Sequence, residues 1–388
     1  MEQRKLQRAI LVNVIPPESD KEKKMAEFDE LKRLVETYGG IVILKILQKR
    51  GRPSAKTYIG EGKAQEVATL VKELKADVVV INGFLKANQS NNLINIIPCE
   101  VLDRFEMILK IFEKHAESPE AKMQLQIAYL KYEFPKLFGS GAVLSQQAAG
   151  IAGIRTSGAA GAGRRAARGP GETILEVKRR HLRNQINTLE KKIKQLRKVR
   201  TLQRDRRKRR EFFTAALVGY TNSGKSTLMQ ALSKKRKGII ADKLFSTLDT
   251  RLGKVYIPDL PRQGGGKKVL IADTIGFIQD LPPLLFESFL ATLEEVQGAD
   301  LLLHVVDVSD PQADEKIDIV NDVLMQLHVD DKPMIYVFNK IDKISEKRLF
   351  ELRQAYEELP AVFVSALKKR NLDELIAVIS SRTGKVAI

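Results

Sequence analysis

Residues 212–227 read FFTAALVGYTNSGKST, an apolar run followed by Gly219-Tyr220-Thr221-Asn222-Ser223-Gly224-Lys225-Ser226 and then an apolar helical pattern. A GxxxxGKS loop between a strand and a helix restricts the fold more than any other feature of the chain. It needs a buried strand to aim the loop and glycines that let backbone N–H groups close around phosphates. It also needs a helix whose N-terminus adds positive potential. The fold class that follows is α/β, with a doubly wound sheet around the loop. In such a loop Lys225 reaches the β and γ phosphates and the Ser226 hydroxyl ligates Mg²⁺. The motif alone leaves several classes of NTPase and kinase open.

Downstream elements narrow the choice. Val269–Ala272 reads as a strand ending in Asp273-Thr274-Ile275-Gly276. There Asp273 can hold a Mg²⁺-bound water and the Gly276 N–H can meet the γ-phosphate, so Lys225 and Gly276 are the candidate catalytic residues. About 60 residues further on, PMIYVF ends in Asn339-Lys340-Ile341-Asp342. A carboxylate such as Asp342 accepts two hydrogen bonds from guanine N1–H and its exocyclic amine, which adenine cannot offer. Asn339 would brace the loop and the Lys340 stem would cover the base. After AVFV, Ser365-Ala366-Leu367 offers a backbone N–H near guanine O6. Four elements in this order, each at an expected strand end, point to GTP as substrate with Mg²⁺ as cofactor.

Between the first two elements lies IIADKLFSTLDTRL, residues 239–252, with Phe245, Ser246, Thr247, Leu248 and Asp249 facing the expected nucleotide. Thr247 and Thr250 are both candidates for a mobile Mg²⁺ ligand that orders only with the γ-phosphate. Phe277 follows DTIG where a water-orienting side chain could stand. Intrinsic hydrolysis is therefore expected to be slow, with the missing element supplied by a partner or another loop, unless Phe277 simply packs while backbone groups do the work.

Charge is distributed very unevenly. The chain carries 66 Lys+Arg and 48 Asp+Glu, a net +18, and residues 139–210 alone hold 20 basic against 4 acidic residues, or +16. So concentrated a charge is the electrostatic footprint of a nucleic-acid contact rather than of general solubility. Met123, Ile127, Leu130, Phe134 and Leu137, and again Leu182, Ile186, Leu189, Ile193 and Leu196, recur at spacings of 4 and 3. These are two helical seams, each the nearest partner for the other. Residues 139–171 between them contain 9 Gly and 9 Ala with Arg155, Arg164, Arg165 and Arg168 and no acidic residue. The reading is a helical hairpin (residues 116–210) with a flexible basic tip (139–171). It closes on Arg206, Arg207, Lys208, Arg209 and Arg210. With no aromatic residue in 139–210, contact is expected with RNA phosphates and shape rather than base sequence.

Residues 1–115 alternate β-branched runs with amphipathic stretches, as in a small α/β domain with a largely parallel sheet. Gly60-Glu61-Gly62-Lys63 lies between a strand and a helix and reads either as a second phosphate loop or as a tight turn. Residues 211–388 form the nucleotide domain. One cysteine, Cys99, and four scattered histidines exclude an internal disulfide and a zinc cluster. No apolar run approaches the ~20 residues of a membrane span, and the start lacks a signal peptide, so a cytoplasmic location is expected.

Several segments together resemble the HflX GTPases, within the Obg-like group of translation GTPases. They are VLDRFEMILKIFEKHA, EAKMQLQIAYLKYEFPKL, GPGET with LEVKRRHLRNQI, GYTNSGKST, LFSTLD and ADTIGF, spread from about Lys56 to Leu367. The resemblance implies a GTPase that binds the large ribosomal subunit and its RNA, acting as a monomer when ribosome-bound. It implies a hairpin directed toward the peptidyl-transferase region and, in some members, the splitting of stalled ribosomes. It also selects Thr247 as the second Mg²⁺ ligand, and its hydrophobic residue after DTIG fits hydrolysis stimulated by the ribosome. The Gly/Ala loop before GPGET looks longer than usual in the family. The chain ends 21 residues after Leu367, where many relatives carry a further domain. An assembly GTPase acting on immature large subunits and a GTP-gated module with a protein effector are the rival readings.

Overall fold

The computed structural model describes residues 7–17, 21–151, 170–209, 212–233, 251–257, 267–278, 285 and 293–383. They form two compact units, Met1–Lys114 with Met123–Ile193, and His115–Lys122 with Lys194–Ile388.

In the first unit, β1 (Arg8–Ile15), α1 (Lys21–Tyr38), β2 (Ile41–Lys49), α2 (Glu61–Leu74), β3 (Val78–Ile81), α3 (Ala87–Ile96), β4 (Glu100–Asp103) and α4 (Arg104–His115) alternate. Helices α1, α2 and α3 are the crossovers that parallel connections require, and the four strands pair wholly in parallel in the order β2-β1-β3-β4. Ile10, Val12, Val79 and Ile81 pack with Val67 and Leu93 in one of the apolar cores. The chain reverses its direction of winding between β1 and β3.

Two long helices follow, α5 (Pro119–Ile151) and α6 (Pro170–Arg209). They pair as the two seams require: Lys131 meets Glu190 at 3.2 Å and the Arg183 guanidinium lies 5.5 Å from the Phe134 ring centre. α5 continues through Gly139 to Ile151, into the stretch expected as a flexible tip, and residues 152–169 of that stretch lie outside the described residues. Alanine is the best helix former, and here it outweighs a cost of about 1 kcal/mol for each glycine. Pro170 at the first position of α6 suits a helix start, where its missing N–H has no partner to lose. Rather than standing apart, residues 123–193 share the first compact unit. The fastening is Tyr132 of α5, whose hydroxyl donates to Asp103 Oδ2 while its ring sits 4.3 Å from that of Phe105. Asp103 also opens α4: its Oδ1 accepts from Glu106 N at 2.8 Å and Glu106 Oε2 accepts from Asp103 N at 3.0 Å, a reciprocal cap.

The second unit contains β5 (Phe213–Val218), α7 (Lys225–Leu232), β6 (Arg251–Ile257), β7 (Lys267–Asp273), β8 (Leu301–Asp307), α8 (Ala313–Gln326), β9 (Met334–Asn339), α9 (Glu346–Ala355), β10 (Ala361–Phe363) and α10 (Leu372–Thr383). The strand order is β10-β9-β8-β5-β7-β6, parallel except for the edge strand β6. One face is covered by Leu228 and Leu232 of α7 and by Leu375 and Ile379 of α10. The other is covered by Ile317 of α8 and by Leu349 and Leu352 of α9. This is the doubly wound sheet expected, and the candidate loops leave the carboxyl ends of its strands. Among the described residues no helix is long and apolar enough to cross a membrane.

Candidate nucleotide site

Strand β5 delivers the Gly219–Ser226 loop at the centre of the sheet. Gly219 has φ +149° and a Cβ there would stand 2.3 Å from Val305 O; Gly224 has φ +96° and a Cβ would stand 2.2 Å from Asn339 Nδ2. Both positions exclude any side chain, and Asn222 turns the chain between them with φ 62°. Lys225 is buried, and its Nζ donates back to Gly219 O at 3.0 Å and Tyr220 O at 2.8 Å. Burial pushes this amine down to about 8, with Asp273 opposing the shift and Lys340 adding to it. Two hydroxyl oxygens of the loop, Thr221 Oγ1 and Ser223 Oγ, are buried without a hydrogen-bond partner among the described residues. Such orphans carry a cost that a bound polar ligand would relieve.

The DTIG segment is bound to this loop. Asp273 closes β7 opposite Leu217 of β5, and the Thr274 hydroxyl donates to Leu217 O at 2.6 Å. Phe277 N donates to Gly219 O at 3.1 Å and Thr221 N donates to Phe277 O at 2.7 Å, a parallel bridge that extends the sheet into the loop. Gly276 consequently lies so close that a Cβ would be 2.9 Å from both Lys225 Nζ and Thr221 Cα. The Phe277 side chain is 2% exposed and packs inward, so it orients no water. Of the other residues in this run, Thr274 spends its hydroxyl on the backbone and Ile275 is buried apolar.

At the end of β9, Asn339 is fully engaged: its Nδ2 donates to Ser223 O at 2.9 Å and its Oδ1 accepts from Ala366 N at 3.0 Å. Ser365, completely buried, donates its hydroxyl to Asp342 Oδ1. Lys340, at φ 68°, pairs with Asp307 Oδ2 at 2.7 Å. Ile341 turns into the apolar cluster with Val306, Phe338 and Phe363, and Leu367 is exposed.

The structure thus brings together the residues around Lys225, Asp273, Gly276, Asn339, Asp342, Ser365 and Ala366. Phe245, Ser246, Thr247, Leu248, Asp249 and Thr250 lie outside the described residues. So do Arg155, Arg164, Arg165, Arg168 and Arg210, while Arg206, Arg207, Lys208 and Arg209 belong to the last turns of α6. Arg251, the first residue of β6, pairs with Asp273. For a divalent ion, the Ser226 hydroxyl at the start of α7 and the buried Asp273 carboxylate form a hard-oxygen set suited to Mg²⁺.

Three contributors escaped the sequence reading. Asp307 anchors Lys340, and Lys316 pairs with Asp310 while its Nζ stands 5.1 Å from the Tyr220 ring centre. His304 is buried in β8, and burial first and Lys225 second push it down to about 3, which keeps it neutral. LLLHVVDVSD reads only as an apolar strand, yet the carboxylates after it were the available signal.

A doubly wound sheet with a glycine-bounded phosphate loop, a DTIG hook and an NKID loop braced by one asparagine defines a P-loop GTPase. Three family patterns match in sequence: "GTP-binding GTPase N-terminal" over residues 25–113, "GTP-binding GTPase Middle Region" over 115–207 and "50S ribosome-binding GTPase" over 214–340. "GTPase HflX" of Caldanaerobacter subterraneus subsp. tengcongensis is 42% identical over 373 residues, covering 96% of this chain and 80% of that protein. "GTPase HflX" of Escherichia coli is 35% identical over 382 residues, 98% of this chain and 84% of that protein. Among solved structures, a complex of SsGBP with GDP superposes with a TM-score of 0.54 at 25% identity, covering 99% of this chain and 100% of that one. The chain belongs to the HflX family of GTPases and is a GTP-hydrolysing enzyme.

Proposed function

We propose that this GTPase binds the large ribosomal subunit through the α5–α6 segment in its GTP state, separates stalled or idle ribosomes, and leaves on hydrolysis. The observation that carries the reading is the concentration of +16 of the net +18 charge in residues 139–210, which fall largely on a paired-helix element. The match of residues 214–340 to a family described as 50S ribosome-binding supports the same partner. In the site, Lys225 and the loop N–H groups hold the phosphates, Gly276 N–H meets the γ-phosphate, and Asp342 with Ala366 N–H selects guanine. Ser226, Thr247 and, through water, Asp273 hold Mg²⁺, which neutralises charge on the phosphates when bound. Because Phe277 faces inward, water must be oriented by another group, and the ribosome is the source that ties turnover to binding. The protein acts in the cytoplasm, as a monomer when ribosome-bound.

Cosedimentation with 70S ribosomes and 50S subunits, in GDP against a non-hydrolysable GTP analogue, tests this. The expected result is analogue-dependent 50S binding and 70S dissociation, both lost on deletion of residues 152–169. Binding indifferent to nucleotide and to the deletion would overturn it, and accumulation on immature particles alone would favour an assembly role.

A further inference from the structure

The basic segment does not exhaust the cationic surface. At the carboxyl ends of β2 and β3, the loops of residues 49–60 and 82–86 are bound to one another. Tyr58 donates its hydroxyl to Asn82 O at 3.1 Å, and Gly83 lacks the Cβ that would stand 2.0 Å from Tyr58 Oη. The first loop is a closed turn, with Ser54 and Tyr58 exchanging backbone hydrogen bonds of 2.7 and 3.0 Å. Three amides of α3 then hold three successive carbonyls: Gln89 to Ser54 O at 2.7 Å, Asn88 to Ala55 O at 3.1 Å and Asn92 to Lys56 O at 2.8 Å. A turn held so completely loses little entropy on binding.

On this frame Lys49, Arg50, Arg52, Lys56 and Lys86 are exposed. Lys56 pairs with Glu61, whereas Lys49, Arg50 and Arg52 make no ion pair among the described residues. Residues 49–60 and 82–99 contain no Asp or Glu. On the second loop, next to Gly83, Phe84 is 45% exposed, on a segment where Leu85 and Ile81 are buried. An exposed aromatic on one loop and cations without ion pairs on the loop bonded to it are the elements that grip unpaired nucleotides: the base stacks and the phosphates meet the charges. An acidic peptide would satisfy the cations and leave Phe84 without a planar partner.

We propose that this edge of the N-terminal sheet is a second RNA contact, one unpaired base stacking on Phe84 with flanking phosphates on Arg50, Arg52 and Lys49. It stands independently of ribosome binding through the basic segment, because its test uses no ribosome. The full-length protein is irradiated with a 12-nucleotide oligouridylate carrying one 5-iodouridine, digested with trypsin, and the adducts mapped. The expected adduct lies on the peptide of residues 76–86 at Phe84, survives Phe84→Tyr, and falls severalfold in a double variant Arg50→Gln, Arg52→Gln. That variant should also lower the salt dependence of the Phe84 adduct by a log–log slope of roughly 1.4, about 0.7 per phosphate released. GTP turnover and thermal unfolding should match the parent protein. Adducts confined to residues 139–210, a Phe84 adduct indifferent to loss of both arginines, preference for the matching DNA, or displacement by polyglutamate as readily as by unlabelled RNA would each overturn the proposal.

Discussion

Two stretches between a strand and a helix carry a glycine-lysine pattern, Gly60–Lys63 and Gly219–Ser226, and only the second is built as a phosphate loop. In Gly60-Glu61-Gly62-Lys63, Gly60 has an ordinary φ of −63°, a Cβ at Gly62 would meet nothing within 4 Å, and Lys63 reaches outward to Glu66. In Gly219–Ser226 both glycines take φ values closed to other residues, backbone or amide atoms crowd them, and the lysine is buried beneath the loop. The difference is that a phosphate loop uses what only glycine permits, whereas a helix-starting turn merely tolerates it. Letters and spacing alone do not separate the two.

The sharpest break in that comparison is Gly219→Ala. Overlap with Val305 O and a strained φ should together cost on the order of 2–5 kcal/mol. GTP affinity, followed with a fluorescent analogue, should drop at least about 100-fold by loss of loop geometry. Next comes Asp342→Asn, which replaces the acceptor pair for guanine by a group that also donates; GTP affinity should fall on the order of 100-fold while xanthosine triphosphate gains, measured by competition.

A smaller effect concerns protons. Lys225 sits at about 8, below its ordinary value, and phosphate anions favour its charged form. Binding GDP near pH 8 should take up a fraction of a proton, and affinity should weaken as pH rises through that range. Calorimetry in buffers of different ionisation enthalpy measures both, and Lys225→Met should abolish the uptake. In the first unit, Tyr132→Phe removes the donor to Asp103, whose carboxyl burial and Glu106 already push upward. Stability against urea should drop by about 1–3 kcal/mol, read from the unfolding of that unit. The least effect belongs to Gly60→Ala: unchanged nucleotide affinity and a stability change within about 1 kcal/mol, which would separate the two turns experimentally.

What could be read from the chain alone follows the range of the interactions. β5, the GKS loop and DTIG were legible because each is a contiguous stretch whose residue types serve a local geometry. The four parallel strands of the first unit were legible for the same reason, as β-branched runs between helical periods. Tyr132 reaching Asp103, or Asn88, Gln89 and Asn92 reaching carbonyls more than 30 residues away, follows from tertiary approach that no local pattern encodes. α5 runs past the point that its glycines suggest because the alanines around them sustain the helix.

Asn339 ties the two ends of the site together. A single amide spans the loop expected to hold phosphate and the loop expected to frame the base, through Ser223 O on one side and Ala366 N on the other. The two subsites are therefore not independent in thermodynamic terms. A ligand on the base or on the phosphates alone restrains the strut that the other half also needs, so fragments such as guanosine and pyrophosphate should bind with a coupling free energy between them.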